Sequence, residues 1–279
     1  MTFKLLAGAA LAANVAFSAD ACSETTACEL DAGEYFMKAP ESASEGMMPA
    51  VVYIHGWGGT GSGVFRNTGM VNGFVDRGYV VAAPSGLTRT SGNGGYWAFR
   101  GSGNSERDEI SFISSVREDL IANHNVDPDR VILAGFSIGG SMTAYLACAD
   151  ADAFSAYAPL GGNFWRPHPE TCEGPVRMLH THGWRDGTVP LEGRVLRGDD
   201  VNDLNAVVQG DIFYAMQIWR EANGCNQLKA DRYATEAGYM RRAWDRCTPG
   251  SALELAIFDG GHIVPNGWPG LVADWFEGL

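Results

Sequence analysis

The chain alternates short apolar runs with segments whose apolar residues recur at helical spacing. The five clearest runs contain four to six residues each, and they are residues 50–55, 79–83, 131–134, 176–180 and 253–258. Short, mostly apolar runs are typical of strands that are covered on both faces of a sheet. The sequence therefore predicts a strand at each of these five places.

The clearest helical segment lies between the second and third of these runs. Its apolar residues return every three or four positions, and they are Ile110, Ile113, Val116, Leu120 and Ile121. Ser105 and Asp108 have the spacing of a capping box at its start, and further helices are predicted over residues 142–149, 211–223 and 271–278. Strands that alternate with helices predict the α/β class, with a mostly parallel sheet and helices on both of its faces.

Two long polar, glycine-rich segments interrupt this alternation, residues 85–104 and residues 187–210. Neither segment contains enough apolar residues to form a domain of its own. Loops of this length inside a compact domain are more often functional than idle. We therefore expect both loops to serve the function of the protein.

The first 21 residues have the order of a secretory signal peptide. Lys4 supplies the positive start, residues 5–17 are almost wholly apolar, and small residues are frequent over 18–21. The apolar run is shorter than the roughly 20 residues that are needed to span a bilayer. We predict a signal peptide over residues 1–21, a single catalytic domain over residues 22–279, and secretion to the periplasm or the extracellular space.

Six cysteines in an exported chain are compatible with three disulfides. No two of them form a CxxC pair, which argues against a structural zinc site. Sequence alone does not fix the pairing. Closeness in the chain favours Cys22 with Cys28, Cys148 with Cys172, and Cys225 with Cys247.

The formal net charge is −13 at pH 7. That sign disfavours nucleic acid and anionic membranes as partners. It fits a neutral or weakly charged substrate, and equally an exported protein with an acidic surface. The oligomeric state is left open by the sequence.

Gly135-Phe-Ser137-Ile-Gly139 lies between a predicted strand and a predicted helix. This is the pattern of a nucleophile elbow, in which the serine takes a strained backbone conformation and small neighbours prevent a clash. A bare GxSxG is a weak signal, but the strand before it and the helix after it supply the required context. Ser137 is therefore the predicted nucleophile.

A serine hydroxyl needs a base, and in this type of fold an acid and then a histidine follow the serine along the chain. His262 follows the predicted strand that ends at Phe258, and Asp186 follows the strand that begins at Val176. We predict His262 as the base and Asp186 as the acid that orients it. The rival acids are Asp199, Asp200, Asp203, Asp211 and Asp259.

His55-Gly-Trp57-Gly-Gly follows an early strand and has the form of an oxyanion loop. The predicted backbone N–H donors are Trp57 and Ile138, and the side chain of His55 is predicted to hold the loop. His180 and His182 share one face of a strand, so a metal site with Asp186 as third ligand is a weaker alternative. We expect no metal and no cofactor.

Tryptophans in the predicted loops suggest aromatic walls for an aromatic acyl group, a sugar ring or a polyester chain. Four of them lie in loops near the predicted triad, namely Trp57, Trp165, Trp184 and Trp268. Core packing is the expected role of Trp219, Trp244 and Trp275.

At this level of detail the sequence resembles a family of α/β-hydrolases, namely the extracellular polyhydroxybutyrate depolymerases, feruloyl esterases and acetylxylan esterases of carbohydrate esterase family one. The motifs that carry the resemblance are "VVYIHGWGGTGSG", "RDEISFISSVREDL", "NVDPDRVILAGFSIGG", "FSAYAPLGG", "HTHGWRDGTVPLEG", "WREANGC" and "FDGGHIVPNGWP". The resemblance implies that Ser137, Asp186 and His262 are nucleophile, acid and base, and that Cys225 and Cys247 form a disulfide. It does not choose among polyesters, feruloylated sugars and acetylated xylan.

The combined prediction is a secreted serine esterase of the polyhydroxybutyrate depolymerase type, acting on a small-molecule or polymeric ester such as polyhydroxyalkanoate oligomers. Feruloyl or acetylxylan esterase activity on plant polysaccharide esters is the alternative. Two further classes stay open, an acyltransferase with the same triad and a carbohydrate-binding protein on an inactive hydrolase fold.

Overall fold

A computed structural model describes residues 22–41, 46–90, 92, 94–99, 107–198, 200–203 and 206–279. The predicted signal peptide, the capping residue Ser105 and the rival acid Asp199 lie outside these ranges.

The described residues form fourteen strands and six helices. The strands are β1 (Cys28–Leu30), β2 (Gly33–Lys38), β3 (Met48–Ile54), β4 (Val80–Pro84), β5 (Leu87–Thr88), β6 (Gly95–Tyr96), β7 (Val126–Phe136), β8 (Ala156–Leu160), β9 (Arg177–Gly183), β10 (Arg194–Arg197), β11 (Val207–Gln209), β12 (Arg232–Glu236), β13 (Tyr239–Trp244) and β14 (Ala252–Phe258). The helices are α1 (Gly61–Val64), α2 (Thr68–Val75), α3 (Glu109–Asn123), α4 (Ile138–Ala149), α5 (Ile212–Ala222) and α6 (Trp268–Glu277).

Ten of these strands form one sheet in the order β1-β2-β4-β3-β7-β8-β9-β14-β13-β12. Its centre, from β4 to β14, is parallel throughout. Antiparallel pairs stand only at its two edges, where β1 and β2 border one side and β13 and β12 the other. The carboxyl ends of the parallel strands therefore meet along one edge, which is where sites form in folds of this kind.

The helices cover both faces of the sheet. Alternate residues of β3 belong to two separate apolar clusters, with Val52 in one cluster and Val51 in the other. Helices α3, α4 and α5 pack into the first cluster, and α2 and α6 pack into the second. The buried strands read as continuous apolar runs because both of their faces are covered. The predicted α/β class is confirmed.

Each of the five predicted strands is present, and each predicted helix is present with shifted bounds. The capping box was wrong, because the N-cap of α3 is Asp108, whose carboxylate accepts from the backbone N–H of Ser111 at 3.1 Å. The two glycine-rich segments contain small hairpins, β5 with β6 and β10 with β11.

Among the described residues, no helix combines the length and apolarity needed to cross a membrane.

The six cysteines are joined in the three pairs that closeness in the chain favoured, Cys22–Cys28, Cys148–Cys172 and Cys225–Cys247. The second pair ties the end of α4 to the loop before β9. Three disulfides fit an extracellular protein, since such bonds persist in oxidising compartments.

Candidate active site

Ser137 occupies a sharp turn between β7 and α4. Its backbone has φ 61° and ψ −121°, a conformation that a residue with a side chain rarely adopts. The glycines of the motif are needed for close packing, because a methyl group at Gly139 would lie 2.1 Å from the carbonyl oxygen of Ile54. The turn therefore holds Ser137 at the N-terminus of α4, at the carboxyl edge of the sheet.

Asp186 and His262 come from the loops after β9 and β14, two neighbouring strands of the sheet. The Nδ1–H of His262 donates to Asp186 Oδ2 at 2.7 Å, and this assigns the proton to Nδ1 because a carboxylate only accepts. The other oxygen, Oδ1, accepts from the backbone N–H groups of Thr188 and Val189 at 2.9 and 2.8 Å. The loop thus fixes the carboxylate, which in turn fixes the imidazole with Nε2 free of the Asp186 bond.

The charge of Asp186 is stabilised although its side chain is buried. Burial alone would raise the pKa of this carboxyl, but the hydrogen bonds from His262 and from the Val189 N–H outweigh burial and leave the pKa below its ordinary value of 3.8. The group is therefore an anion at neutral pH, and as an acceptor it orients the His262 ring.

Ser137 and His262 have neighbours in common. The His262 ring packs against the Phe136 ring with centroids 4.6 Å apart, and Phe136 directly precedes Ser137. Gly161 faces the same imidazole, because a methyl group there would lie 3.5 Å from the ring. In the described part of the chain, no hydrogen bond joins Ser137 Oγ to the imidazole, and in unliganded enzymes this bond is often long.

The two backbone N–H groups predicted to bind the oxyanion make no backbone hydrogen bond among the described residues. Ile138 is the first residue of α4, so its N–H has no acceptor within the helix. The N–H of Trp57 donates to no backbone acceptor among the residues that the structure describes. The Trp57 loop passes close to the serine, because a methyl group at Gly56 would lie 3.4 Å from the Ser137 Cβ.

The side chain of His55 braces this loop. Its Nδ1–H donates to the Gly56 carbonyl at 2.9 Å, its Nε2 accepts from the N–H of Gly86 at 3.0 Å, and its own carbonyl accepts from Trp97 Nε1 at 2.9 Å. Burial lowers the pKa of His55, which matches a neutral ring with one donor and one acceptor. Both ring nitrogens have structural partners, as the predicted role requires.

His180 and His182 form a buried chain of hydrogen bonds behind the acid loop. His182 Nε2–H donates to the Val189 carbonyl at 2.8 Å, His180 Nε2–H donates to His182 Nδ1 at 3.1 Å, and Asn163 Nδ2 donates to His180 Nδ1 at 3.1 Å. All four ring nitrogens are thus used within the protein. The metal alternative loses its two histidine ligands for this reason, and the pair instead supports the loop that carries Asp186.

A cavity of about 940 Å³ opens beside Ser137 and Ile138. Its aromatic wall consists of Trp57, Tyr96, Trp97, Phe99 and Trp165. The hairpin β10–β11 supplies the other side with Arg194, Leu196, Arg197, Val207 and Gln209. A mostly apolar cavity with a few polar groups is typical of a site for an organic ligand.

Two of the four predicted substrate-binding tryptophans contact this cavity, and two do not. Trp57 is 61% exposed at the rim, and Trp165 is held in the wall by a bond from its Nε1–H to Ser141 Oγ at 3.2 Å. Trp184 is exposed and is not among the described residues that line the cavity, so its substrate-binding role stays a prediction. The prediction for Trp268 was wrong.

Trp268 belongs to the core on the other face of the sheet. It is the first residue of α6, it is fully buried, and its rings pack edge-on against Phe74 and Tyr53. Its Nε1–H donates to Thr181 Oγ1 at 3.2 Å. Closeness to His262 in sequence suggested a loop position, but the helix begins earlier than its apolar pattern indicated.

Sequence reasoning missed Tyr96, Phe99 and the two hairpin arginines. Their only signal was the length of the glycine-rich segments 85–104 and 187–210. Both segments contribute residues to the cavity wall. This supports the expectation that the two loops are functional, although the sequence did not indicate which of their residues line the cavity.

Comparisons with known proteins show that this chain is similar to esterases. The family model described as "Esterase PHB depolymerase" matches residues 33–166, a range that includes Ser137 and the Trp57 loop but not Asp186 or His262. Feruloyl esterase B of Piromyces equi is 26% identical over 176 residues, which cover 58% of this chain and 30% of that protein. Feruloyl esterase C of Emericella nidulans is 28% identical over 187 residues, which cover 66% of this chain and 56% of that protein. The chain thus matches about half or less of the length of these relatives.

The solved structure of an acetyl xylan esterase from Aspergillus awamori has the same fold. It superposes with a TM-score of 0.64 at 17% identity, covering 88% of this chain and 94% of that one. The chain therefore has the α/β-hydrolase fold, and its sequence is similar to those of polyhydroxybutyrate depolymerase-type and feruloyl esterases.

Proposed function

We propose that this protein is an exported carboxylic ester hydrolase that uses Ser137 as nucleophile, His262 as base and Asp186 as the residue that orients the base. The observation that carries the proposal is the 2.7 Å bond from His262 Nδ1 to a buried Asp186, next to a serine in a strained turn. A strained backbone of this kind is kept where function requires it.

The reaction proceeds in two stages. Ser137 Oγ attacks the ester carbonyl while His262 Nε2 takes its proton, and the N–H groups of Trp57 and Ile138 stabilise the oxyanion. The imidazolium then protonates the leaving alcohol, which departs and leaves an acyl-serine. Water attacks this acyl group in the second stage, His262 takes the proton from water and returns it to Ser137 Oγ, and the free acid leaves.

The aromatic wall of the cavity favours an ester with a flat acyl group, of the hydroxycinnamoyl type, attached to a sugar. Aromatic rings contribute most when a second ring or a sugar face packs on them, and Trp57 and Trp165 are both placed at the cavity that opens beside Ser137. The names of the feruloyl esterase relatives support the same substrate class.

Polyhydroxyalkanoate oligomers are the second candidate substrate. The description of the matching family model names a polyhydroxybutyrate depolymerase, and it covers the elbow and the oxyanion loop. An extended polyester chain also fits a cavity of about 940 Å³ that is open to solvent at Trp57.

Export is proposed on two grounds. The order of residues 1–21 is that of a signal peptide, and three disulfides are typical of oxidising compartments.

A substrate panel tests the proposal. The panel contains 4-nitrophenyl butyrate, methyl ferulate, feruloylated sugar, acetylxylan and amorphous polyhydroxybutyrate, and it is run on the wild type and on Ser137→Ala. We expect hydrolysis of 4-nitrophenyl butyrate and of methyl ferulate, reduced by at least about three orders of magnitude in the variant. Unchanged activity in Ser137→Ala, or no ester hydrolysis by the wild type, would contradict the proposal.

A further inference from the structure

The described residues that line the cavity carry a charge opposite to that of the whole chain. The protein has a formal net charge of −13. Of the described residues that line the cavity, however, only Arg194 and Arg197 are charged, and no carboxylate is among them. Because a cleft with low-dielectric walls focuses the field of the charges inside it, two arginines there attract an anion in spite of the acidic surface.

A β-bulge places the second arginine in the cavity. Arg194 pairs with Gln209, Val195 with Val208, and Arg197 with Val207, so that Leu196 is an extra residue in β10. In a regular strand Arg197 would point to the same side as Val195, because side chains alternate between the two faces. The extra residue reverses this alternation, and Arg194, Leu196 and Arg197 all line the cavity.

Two hydrogen bonds within the protein hold the side chain of Arg194 in place. Its Nε–H donates to Gln209 Oε1 at 3.1 Å and its Nη1–H to the Gly187 carbonyl at 3.5 Å. Gln209 is buried, and its strand forms a bridge to Trp165 in the aromatic wall. The guanidinium is therefore partly ordered before any ligand binds, which lowers the entropic cost of a hydrogen bond to that ligand.

Resting on the proposed function, we propose that Arg194 and Arg197 select ester substrates that carry a carboxylate away from the scissile ester bond. Guanidinium groups bind carboxylates through paired N–H donors. Two substrate sources share this chemistry, esters on uronic acid sugars and hydroxyacid oligomers with a free acid end. The arginines act on binding and selection, and the ester is cleaved by the same Ser137 in either case.

The test compares substrate pairs that differ in one distant group, which is a carboxylate in one member and an uncharged polar group in the other. One pair is a feruloyl ester of galacturonate and the same ester of galactose, and the other is a linear 3-hydroxybutyrate dimer with a free carboxylate and its primary amide. The readout is the ratio of kcat/KM within each pair, for wild type, Arg197→Gln, Arg194→Gln and Arg197→Lys. Arg242→Gln is the matched control, since Arg242 is exposed on β13, away from the cavity.

We expect the wild type to favour the charged member in at least one pair, and the pair in which it does so identifies the source. Each arginine-to-glutamine change lowers this ratio by about threefold, as for solvent-exposed ion pairs, and Arg197→Lys keeps part of it. Raising the ionic strength lowers the wild-type ratio, and Arg242→Gln leaves it unchanged.

A wild-type ratio near one in both pairs, or a ratio that the cavity variants do not change, would overturn the inference. Hydrolysis of 4-nitrophenyl butyrate, which has no second charge, reports separately on the proposed esterase function. If the wild type does not hydrolyse 4-nitrophenyl butyrate, the proposed function fails. If it does, but the kcat/KM ratios stay near one or do not respond to the cavity variants, only the arginine inference fails.

Discussion

Ser137 is held with φ 61° and ψ −121° by the strand before it and the helix after it. Such a conformation costs about 1–3 kcal/mol for a residue with a Cβ atom. The protein tolerates this cost because the turn exposes the hydroxyl at the edge of the sheet, where His262 and Asp186 also lie.

The strained backbone at Ser137 predicts that a variant that relieves the strain is more stable, although it loses the catalytic hydroxyl. Ser137→Gly removes the Cβ atom and should raise the free energy of unfolding by about 1 kcal/mol, after the greater flexibility of glycine in the unfolded chain is allowed for. Ser137→Ala keeps the Cβ atom and should leave this free energy nearly unchanged. Urea unfolding of the two variants and the wild type measures the difference, and equal stability of Gly and Ala variants would show that the turn is not strained.

The identity of the acid is tested by a pair of aspartates. Asp186→Asn should lower kcat by about three to four orders of magnitude, because an amide can donate to the imidazole and permits the wrong tautomer. Asp259 is the rival acid closest to His262 in sequence, but its side chain is 80% exposed and pairs with Arg185. Asp259→Asn should therefore keep kcat within about twofold, and the reverse order of effects in steady-state kinetics would make Asp259 the acid.

At the residue scale, sequence arguments predicted the three catalytic candidates, whose roles remain a proposal, and the three disulfide pairs, which the structure contains. They failed for Trp268, because proximity in sequence to His262 does not tell on which face of the sheet a side chain lies. They also failed for Arg197, because one extra residue in β10 reverses the alternation on which a strand pattern depends.

Strand β9 and the loop after it combine two functions, since the strand carries the buried histidines and the loop carries Asp186. Burial lowers the pKa of His180 well below its ordinary value of 6.5, and the neighbouring His182 lowers it further. Burial likewise lowers the pKa of His182. Both rings are neutral in the hydrogen-bond chain that ends at the Val189 carbonyl.

The chain of hydrogen bonds through these two neutral histidines predicts that the folded protein loses stability in mild acid. Below pH 6.5 the unfolded protein takes up a proton on each of these histidines and the folded protein does not, so the free energy of unfolding falls as pH falls. The slope is about 1.4 kcal/mol per pH unit for each histidine, and the full stability is present above pH 6.5. Urea unfolding at intervals from pH 7.5 to 5 measures it.

His180→Gln provides the matched test of this slope, because an amide can accept from Asn163 and donate to His182 as the imidazole does. In this variant, the slope of the free energy of unfolding against pH should fall by the contribution of one histidine, about 1.4 kcal/mol per pH unit. His124→Gln, at a half-buried surface position, serves as the control. An unchanged slope in His180→Gln would mean that this ring is not kept neutral by the fold.

The five predicted strands were confirmed because central strands are covered on both faces and leave continuous apolar runs. Strand β8 was missed since Pro159 interrupts its run, although the strand is wholly buried. Strand β12 was missed for the opposite reason, because all five of its residues are exposed at the edge of the sheet and leave no apolar signal.

At the scale of the whole molecule, composition indicates an acidic protein, but it could not predict how the charge is distributed. A net charge of −13 suggested a neutral or weakly charged substrate, whereas the charged side chains of the described cavity wall are arginines. Net charge averages over a surface, and a binding site depends on the few groups that the fold brings together.

Export makes a prediction about the whole chain. When the full sequence is produced in a host that secretes proteins, the mature product should begin near residue 22 and contain three intact disulfides. Intact-mass measurement before and after reduction checks both points, because reduction of three bonds adds six hydrogen atoms. A product that retains Met1 and stays inside the cell would contradict the predicted signal peptide.

The proposed mechanism depends on Ser137 being an activated nucleophile. The most direct measurement is labelling with a fluorophosphonate probe, followed by mass spectrometry of the peptides. We predict one adduct, on the peptide that contains Ser137, that is absent in Ser137→Ala and forms much more slowly in His262→Gln. An adduct at another residue, or equal labelling of the Ser137→Ala variant, would contradict the proposed mechanism.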